Sequence, residues 1–138
     1  MTAVRRREAL EQEAGDLLKI LGYEPVIVSS FVRTSRYIAF HLTARKWLDD
    51  GSVDSLMVKL KVSLHPIETL TEAAEFCREE IAGMKKFFAQ IPPDEKYGRF
   101  EVWISIPLNG FQQFEITREG IREIRSPADR PGFTGGRP

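Results

Sequence analysis

Two lysines set two residues apart in "DSLMVKLKVS", residues 54–63, place two ammonium groups on one face of an extended segment. Such a pair suits three kinds of chemistry. One lysine can position or deprotonate an attacking water beside a metal, both can contact phosphate, or both can form the solvated side of a sheet. If the preceding strand pairs with this one, His41 falls on the same face, with Arg36 and Arg45 at the ends of that strand. Arg33 and the run Arg5-Arg6-Arg7 add positive charge that the pattern alone does not place. Lys59, Lys61, His41, Arg36, Arg45 and Arg33 are therefore the candidate contacts to the phosphates of DNA or RNA. Hydrolysis would instead need carboxylates around a hard cation. An active set would be Lys61 with Asp54, at the start of the same strand, and Glu8, on a helix, holding Mg²⁺; Glu101 is a further acid available to it. Without such a set no cofactor is expected.

No other catalytic pattern competes. The chain contains no glycine-rich phosphate loop of the G-x-x-x-x-G-K-[ST] type and no G-x-S-x-G elbow. His41 and His65 are its two histidines, and neither sits in a zinc spacing with Cys77, the single cysteine. Cys77 lies in an apolar helical stripe and reads as a small buried hydrophobe. Trp47, Trp103, Tyr97 and Phe111 are candidates for base stacking, although Trp103, which alternates with the core positions, can instead pack under a helix, and Phe111, after a turn, can clamp a hairpin.

The elements that must hold these residues follow from periodicity. Leu10, Ala14, Leu17, Leu18 and Leu21 stack on one side of a helix that Gly22 stops. From Pro25 the period becomes two, giving a strand over 26–32 and a second, "RYIAFHLTAR", over 36–45. Asp50-Gly51 turns the chain into the lysine strand, whose Leu56, Val58, Leu60, Val62 and Leu64 point away from Lys59 and Lys61. "TLTE" at 69–72 is a capping box for a second helix with the stripe Leu70, Ala73, Ala74, Cys77, Ile81, Met84 and Phe88. "RFEVWISIPL", the Asn109-Gly110 turn, "FQQFEIT" and "REGIREI" complete the order αβββαββ with a short last element. This is an α+β domain with a mixed sheet, in which the second helix is long enough for a crossover to a parallel fourth strand. Leu10, Leu17, Leu18, Val58, Leu60, Cys77, Ile81, Met84, Val102 and Ile104 are expected in one core.

That order, with "EALEQEAGDLLKILGYEPVIVSS" leading into the meander and "DSLMVKLKVS" as its third strand, resembles the PD-(D/E)XK nucleases, the superfamily of restriction endonucleases and archaeal-type Holliday junction resolvases. The resemblance spans residues 4 to about 116. It implies a restriction-endonuclease-like core, an aspartate on the second strand, and an acid two residues before a lysine on the third. Here Lys61 takes the lysine position and Lys59 the acidic one, while the second strand offers Tyr37, Ala39, His41 and Thr43 in place of an aspartate. The resemblance therefore implies a nuclease-like domain without nuclease chemistry, retained to bind nucleic acid or to occupy an assembly. An active Mg-dependent endonuclease with relocated acids is the alternative, and a structural subunit contacting a protein partner or a second copy is another.

Composition fits each of these. The 138 residues are the size of one domain, expected over 1–125, and 20 Lys+Arg balance 20 Asp+Glu, so any electrostatic footprint must be local. The last thirteen residues, "SPADRPGFTGGRP", hold three prolines and three glycines and are expected to form a flexible tail over 126–138. No apolar run approaches the ~20 residues of a membrane span, and the protein is expected to be cytoplasmic.

Overall fold

The computed structural model describes residues 3–28, 40–92 and 98–130. Helix α1 (Ala3–Ile20) leads into strands β1 (Glu24–Ile27), β2 (Leu42–Trp47) and β3 (Val53–Val62). Helices α2 (Leu70–Phe76) and α3 (Arg78–Ala89) follow, then strands β4 (Arg99–Ile106), β5 (Gly110–Thr117) and β6 (Gly120–Ile124). The strands lie side by side in chain order, and β3 pairs with β4 in parallel while each other neighbouring pair is antiparallel. Parallel neighbours cannot be joined by a tight turn, so α2 and α3 are the crossover that the helical pattern after Thr69 predicts.

The ends of the helices follow the local sequence. Gly22, at φ +95°, lets its own N–H reach Lys19 and the Tyr23 N–H reach Leu18, which closes α1 with a Schellman turn. Thr69 Oγ1 accepts the Glu72 N–H at 3.1 Å, while Glu72 Oε1 accepts the N–H of Glu68 at 3.2 Å, one residue earlier than the usual capping box. The second helix, however, is two. It breaks at Cys77, where the Phe76 carbonyl at the end of α2 accepts the Lys61 ammonium at 2.7 Å.

The single core expected from periodicity is two. Ala14 and Leu18 of α1 pack with Leu42, Ala44, Leu56, Val58, Leu60 and Trp103 on one face of the sheet. Ala73, Cys77, Met84 and Phe88 pack with Phe100, Val102, Ile104, Ile106, Phe114 and Ile116 on the other. The central strands β3 and β4 are covered on both sides, so alternate residues of one strand enter different layers. Met57, Lys59 and Lys61 accordingly face α2 and α3, opposite buried Val58 and Leu60. Val62 and Leu64 continue the apolar alternation but are exposed, Val62 at the last position of β3 and Leu64 beyond it.

The first strand, expected over 26–32, runs Glu24–Ile27, and two further boundaries differ from expectation. The second strand starts at Leu42, after a bend at His41 that sends Phe40 into the α2–α3 layer while Leu42 enters the α1 layer. Residues 29–39, with Arg33 and Arg36, lie outside the described residues. At the other end, a tail beginning at 126 is corrected for its first five residues. Asp129 Oδ2 accepts the N–H groups of Arg125 and Ser126, a 3₁₀ turn spans Pro127–Asp129, and Arg130 is 7% exposed against Glu101. Residues 131–138 lie outside the described residues.

Candidate functional site

The C-terminal half of β3 ends between the start of α1 and the junction of α2 with α3, and the lysine pair sits there. Lys61 Nζ lies 2.9 Å from Glu80 Oε1 and 4.8 Å from the centre of the Phe76 ring, besides its bond to the Phe76 carbonyl. A cation on the last carbonyls of α2 complements the helix dipole, and Glu80, 5% exposed, balances its charge. Lys61 is thus engaged by the fold. Lys59, on the same face and two residues back, is half-buried.

His41 occupies the strand position where regular pairing stops. Its Nδ1 accepts the Leu60 N–H at 2.9 Å, a bond that regular pairing would route to a main-chain carbonyl. An accepting Nδ1 requires a neutral ring with its proton on Nε2. Burial first, then the charges of Lys59 and Arg7, push the imidazole from 6.5 down to about 4. The folded protein therefore prefers the neutral ring, so this stabilisation is complete above pH 6.5 and drains away as pH falls from 6.5 toward 4. Discounted for partial exposure, the loss is on the order of 1 to 2 kcal/mol. Urea midpoints measured between pH 7 and 5 should fall accordingly, and His41→Asn, whose amide oxygen accepts without titrating, should flatten that slope. An unchanged slope in His41→Asn would assign the pH dependence to other groups.

Arg6, Arg7, Leu10, His41, Leu60, Lys61 and Val62 line a pocket of ≈ 280 Å³ at this end of the sheet. The first turn of α1 carries no acid. Arg7 Nε is 3.9 Å from Glu11 Oε2, and Glu11, which helical periodicity leaves among the solvent-facing glutamates, is 2% exposed. His41 and Lys61 thus share this pocket with Arg6 and Arg7, while Lys59, on the α2–α3 face of β3, is not among its residues. Arg45 does not join them. It pairs with Ser55, six residues from Lys61 along β3 and about 20 Å away at the strand's rise per residue.

The carboxylates required for an active nuclease go elsewhere. Asp54, at the opposite end of β3, takes two bonds from Arg99, Nε to Oδ1 and Nη2 to Oδ2, both at 2.8 Å, and a third from the Tyr23 hydroxyl. Burial first, then the bond to Asp54, raise the Tyr23 phenol to about 12 and keep it a donor. Glu101, fully buried, accepts from Arg99 Nη1 at 2.8 Å, from Arg130 Nη1 and Nη2 at 2.5 and 2.7 Å, and from Trp103 Nε1 at 2.8 Å. Glu115 is held by Arg122 at 2.6 Å. Guanidinium groups fill the oxygen positions that a hard cation would need, so this donor set does not fit Mg²⁺. Glu8 is exposed on α1 and is not among the pocket residues. Lys61, Asp54 and Glu8 are therefore not assembled, and among the described residues no group of three or more His, Cys, Asp or Glu is placed to hold a metal ion.

Comparison with known proteins adds a likeness among solved structures. No protein-family model matches the chain, and no curated protein does. Among solved structures it is similar to Hjc, a Holliday junction resolvase from the archaeal hyperthermophile Archaeoglobus fulgidus. The two are 13% identical, the match covers 85% of this chain and 86% of that one, and the TM-score is 0.43.

The remaining candidates are structural or remote. Burial raises the Cys77 thiol to about 11, which makes it a packing group and not a nucleophile. Trp103 is fully buried with Phe111 against it at 5.5 Å, and Trp47 is exposed at the far end of β2 beside Val53. Tyr97 lies outside the described residues. Glu80 and Arg130, both central to the packing, carried no sequence signal beyond their place in a helix and in a Pro/Gly-rich end.

Proposed function

We propose that this chain is a nuclease-like domain that binds the phosphate backbone of nucleic acid at one end of its sheet without hydrolysing it. The supporting observation is the convergence of Arg6, Arg7 and His41 around one pocket, beside a Lys61 that Glu80 already balances and with Lys59 close enough to depress His41. In a chain whose charges sum to zero, a local cluster of this kind supplies the attraction for phosphate that net charge does not. The order of elements that resembles the PD-(D/E)XK nucleases, with Lys59 at the acidic position, agrees with this reading. So does the enclosure of Asp54 and Glu101 by arginines, which occupies these two carboxylates with guanidinium groups.

Anisotropy of a labelled duplex across a salt series tests the proposal. The parent should bind at low salt, and Arg6→Ala/Arg7→Ala/Lys59→Ala should lower the slope of log K against log salt by about 2 to 3, roughly one counterion per lost contact. Cleavage in Mg²⁺ or Mn²⁺ that disappears in Lys61→Ala would overturn the non-hydrolytic part. Absence of any affinity at low salt would overturn the binding part in favour of an assembly subunit.

A further inference from the structure

Resting on that nucleic-acid reading, we infer that the pocket takes one unpaired nucleotide, with its base on Leu10, Leu60 and Val62 and its phosphate on Arg6 and Arg7. The pocket's two kinds of lining carry the inference. A phosphate backbone gains nothing from an apolar surface, yet beside Arg6 and Arg7 the pocket is lined by Leu60, partly buried Leu10 and Val62, which is 57% exposed. An unpaired base has apolar faces that suit such a floor, whereas a base in duplex keeps its faces stacked on its neighbours. The volume, ≈ 280 Å³, is at the small end of ligand clefts and suits one nucleotide, not a run of them. His41, which lines the same pocket, is neutral with its proton on Nε2 and so offers a hydrogen-bond donor to a base carbonyl or a phosphate oxygen without adding charge. The ligand class is thus single-stranded, flapped or branched nucleic acid in preference to continuous duplex.

The test compares a blunt duplex, the same duplex carrying a short unpaired overhang, and a single strand, each labelled, at one salt concentration. The unpaired probes should bind roughly tenfold tighter than the blunt duplex. Val62→Ser, which touches an exposed side chain and removes no charge, should abolish most of that preference and leave duplex affinity unchanged. A free nucleoside monophosphate should displace the overhang probe at a lower concentration than inorganic phosphate does, because its base adds a contact that phosphate lacks. Equal affinity of the parent for blunt and overhang probes, or a preference that survives Val62→Ser, would overturn the inference while backbone binding stood. No binding to any of the three probes would overturn backbone binding itself, and the inference with it.

Discussion

Arg130→Ala should destabilise the fold by about 3 to 5 kcal/mol, the cost of stripping one partner from a buried ion pair. The Glu101 carboxylate is fully buried and takes four donors, two of them from Arg130. Without that guanidinium, Arg99 is left as the cation shared by Glu101 and Asp54, and Gln113 Oε1 loses the donor it has at 2.5 Å. Urea unfolding of parent and variant measures the difference, and Arg130→Lys, which keeps the charge but loses the planar fork, should recover only part of it. If Arg130→Ala does not fold, two truncations make the same contrast. A chain ending at Gly132 should keep nearly full stability, because "FTGGRP" offers little apolar surface to offset its ordering. A chain ending at Ser126 loses Arg130 and should melt well below it. Equal melting of the two chains would mean that the Glu101–Arg130 pair contributes little to the fold.

Lys61→Ala should be the next most costly change, about 2 to 4 kcal/mol, because it leaves Glu80 charged and 5% exposed and removes the cation from the end of α2. Glu80→Ala should cost a similar amount, and the double variant Lys61→Met/Glu80→Leu should lie much closer to the parent than the sum of the two single losses. Thermal melting of the four proteins closes that cycle. Lys59→Ala should by contrast leave the melting temperature almost unchanged and weaken nucleic-acid binding, which separates two lysines that look equivalent in sequence. If Lys61→Ala melts with the parent, the Lys61–Glu80 contact is not holding the α2–α3 junction.

Local rules read much of this chain correctly because they depend on neighbours in sequence. The alternation Leu56, Val58, Leu60 against Met57, Lys59, Lys61 assigns the faces of β3 from its period alone. Gly22, with its left-handed φ, marks the end of α1, and Thr69 marks the start of α2 by a bond to its own helix. The parallel β3–β4 pair is implied by a helix too long for a hairpin. These features determine a mixed sheet with helices packed on it, and they place the two lysines on one face.

What lay out of reach depends on partners distant along the chain. At His41 alternation would continue, but Nδ1 takes the Leu60 N–H, the strand bends, and Phe40 crosses to the opposite layer. In the Pro/Gly-rich end, composition argues for a free tail, yet one guanidinium twenty-nine residues from Glu101 offsets the entropy of ordering 126–130 because it meets a buried carboxylate. The acids were visible in the sequence, but not their engagement, since Asp54 meets Arg99 across forty-five residues and Lys61 meets Glu80 across nineteen. The elements, their faces and the lysine pair follow from local sequence, because helix and turn hydrogen bonds and side-chain period act over a few residues. Tertiary structure alone decided which charges are neutralised and which gather at the pocket, because a charge's environment is set by whatever the fold brings within a few ångströms of it.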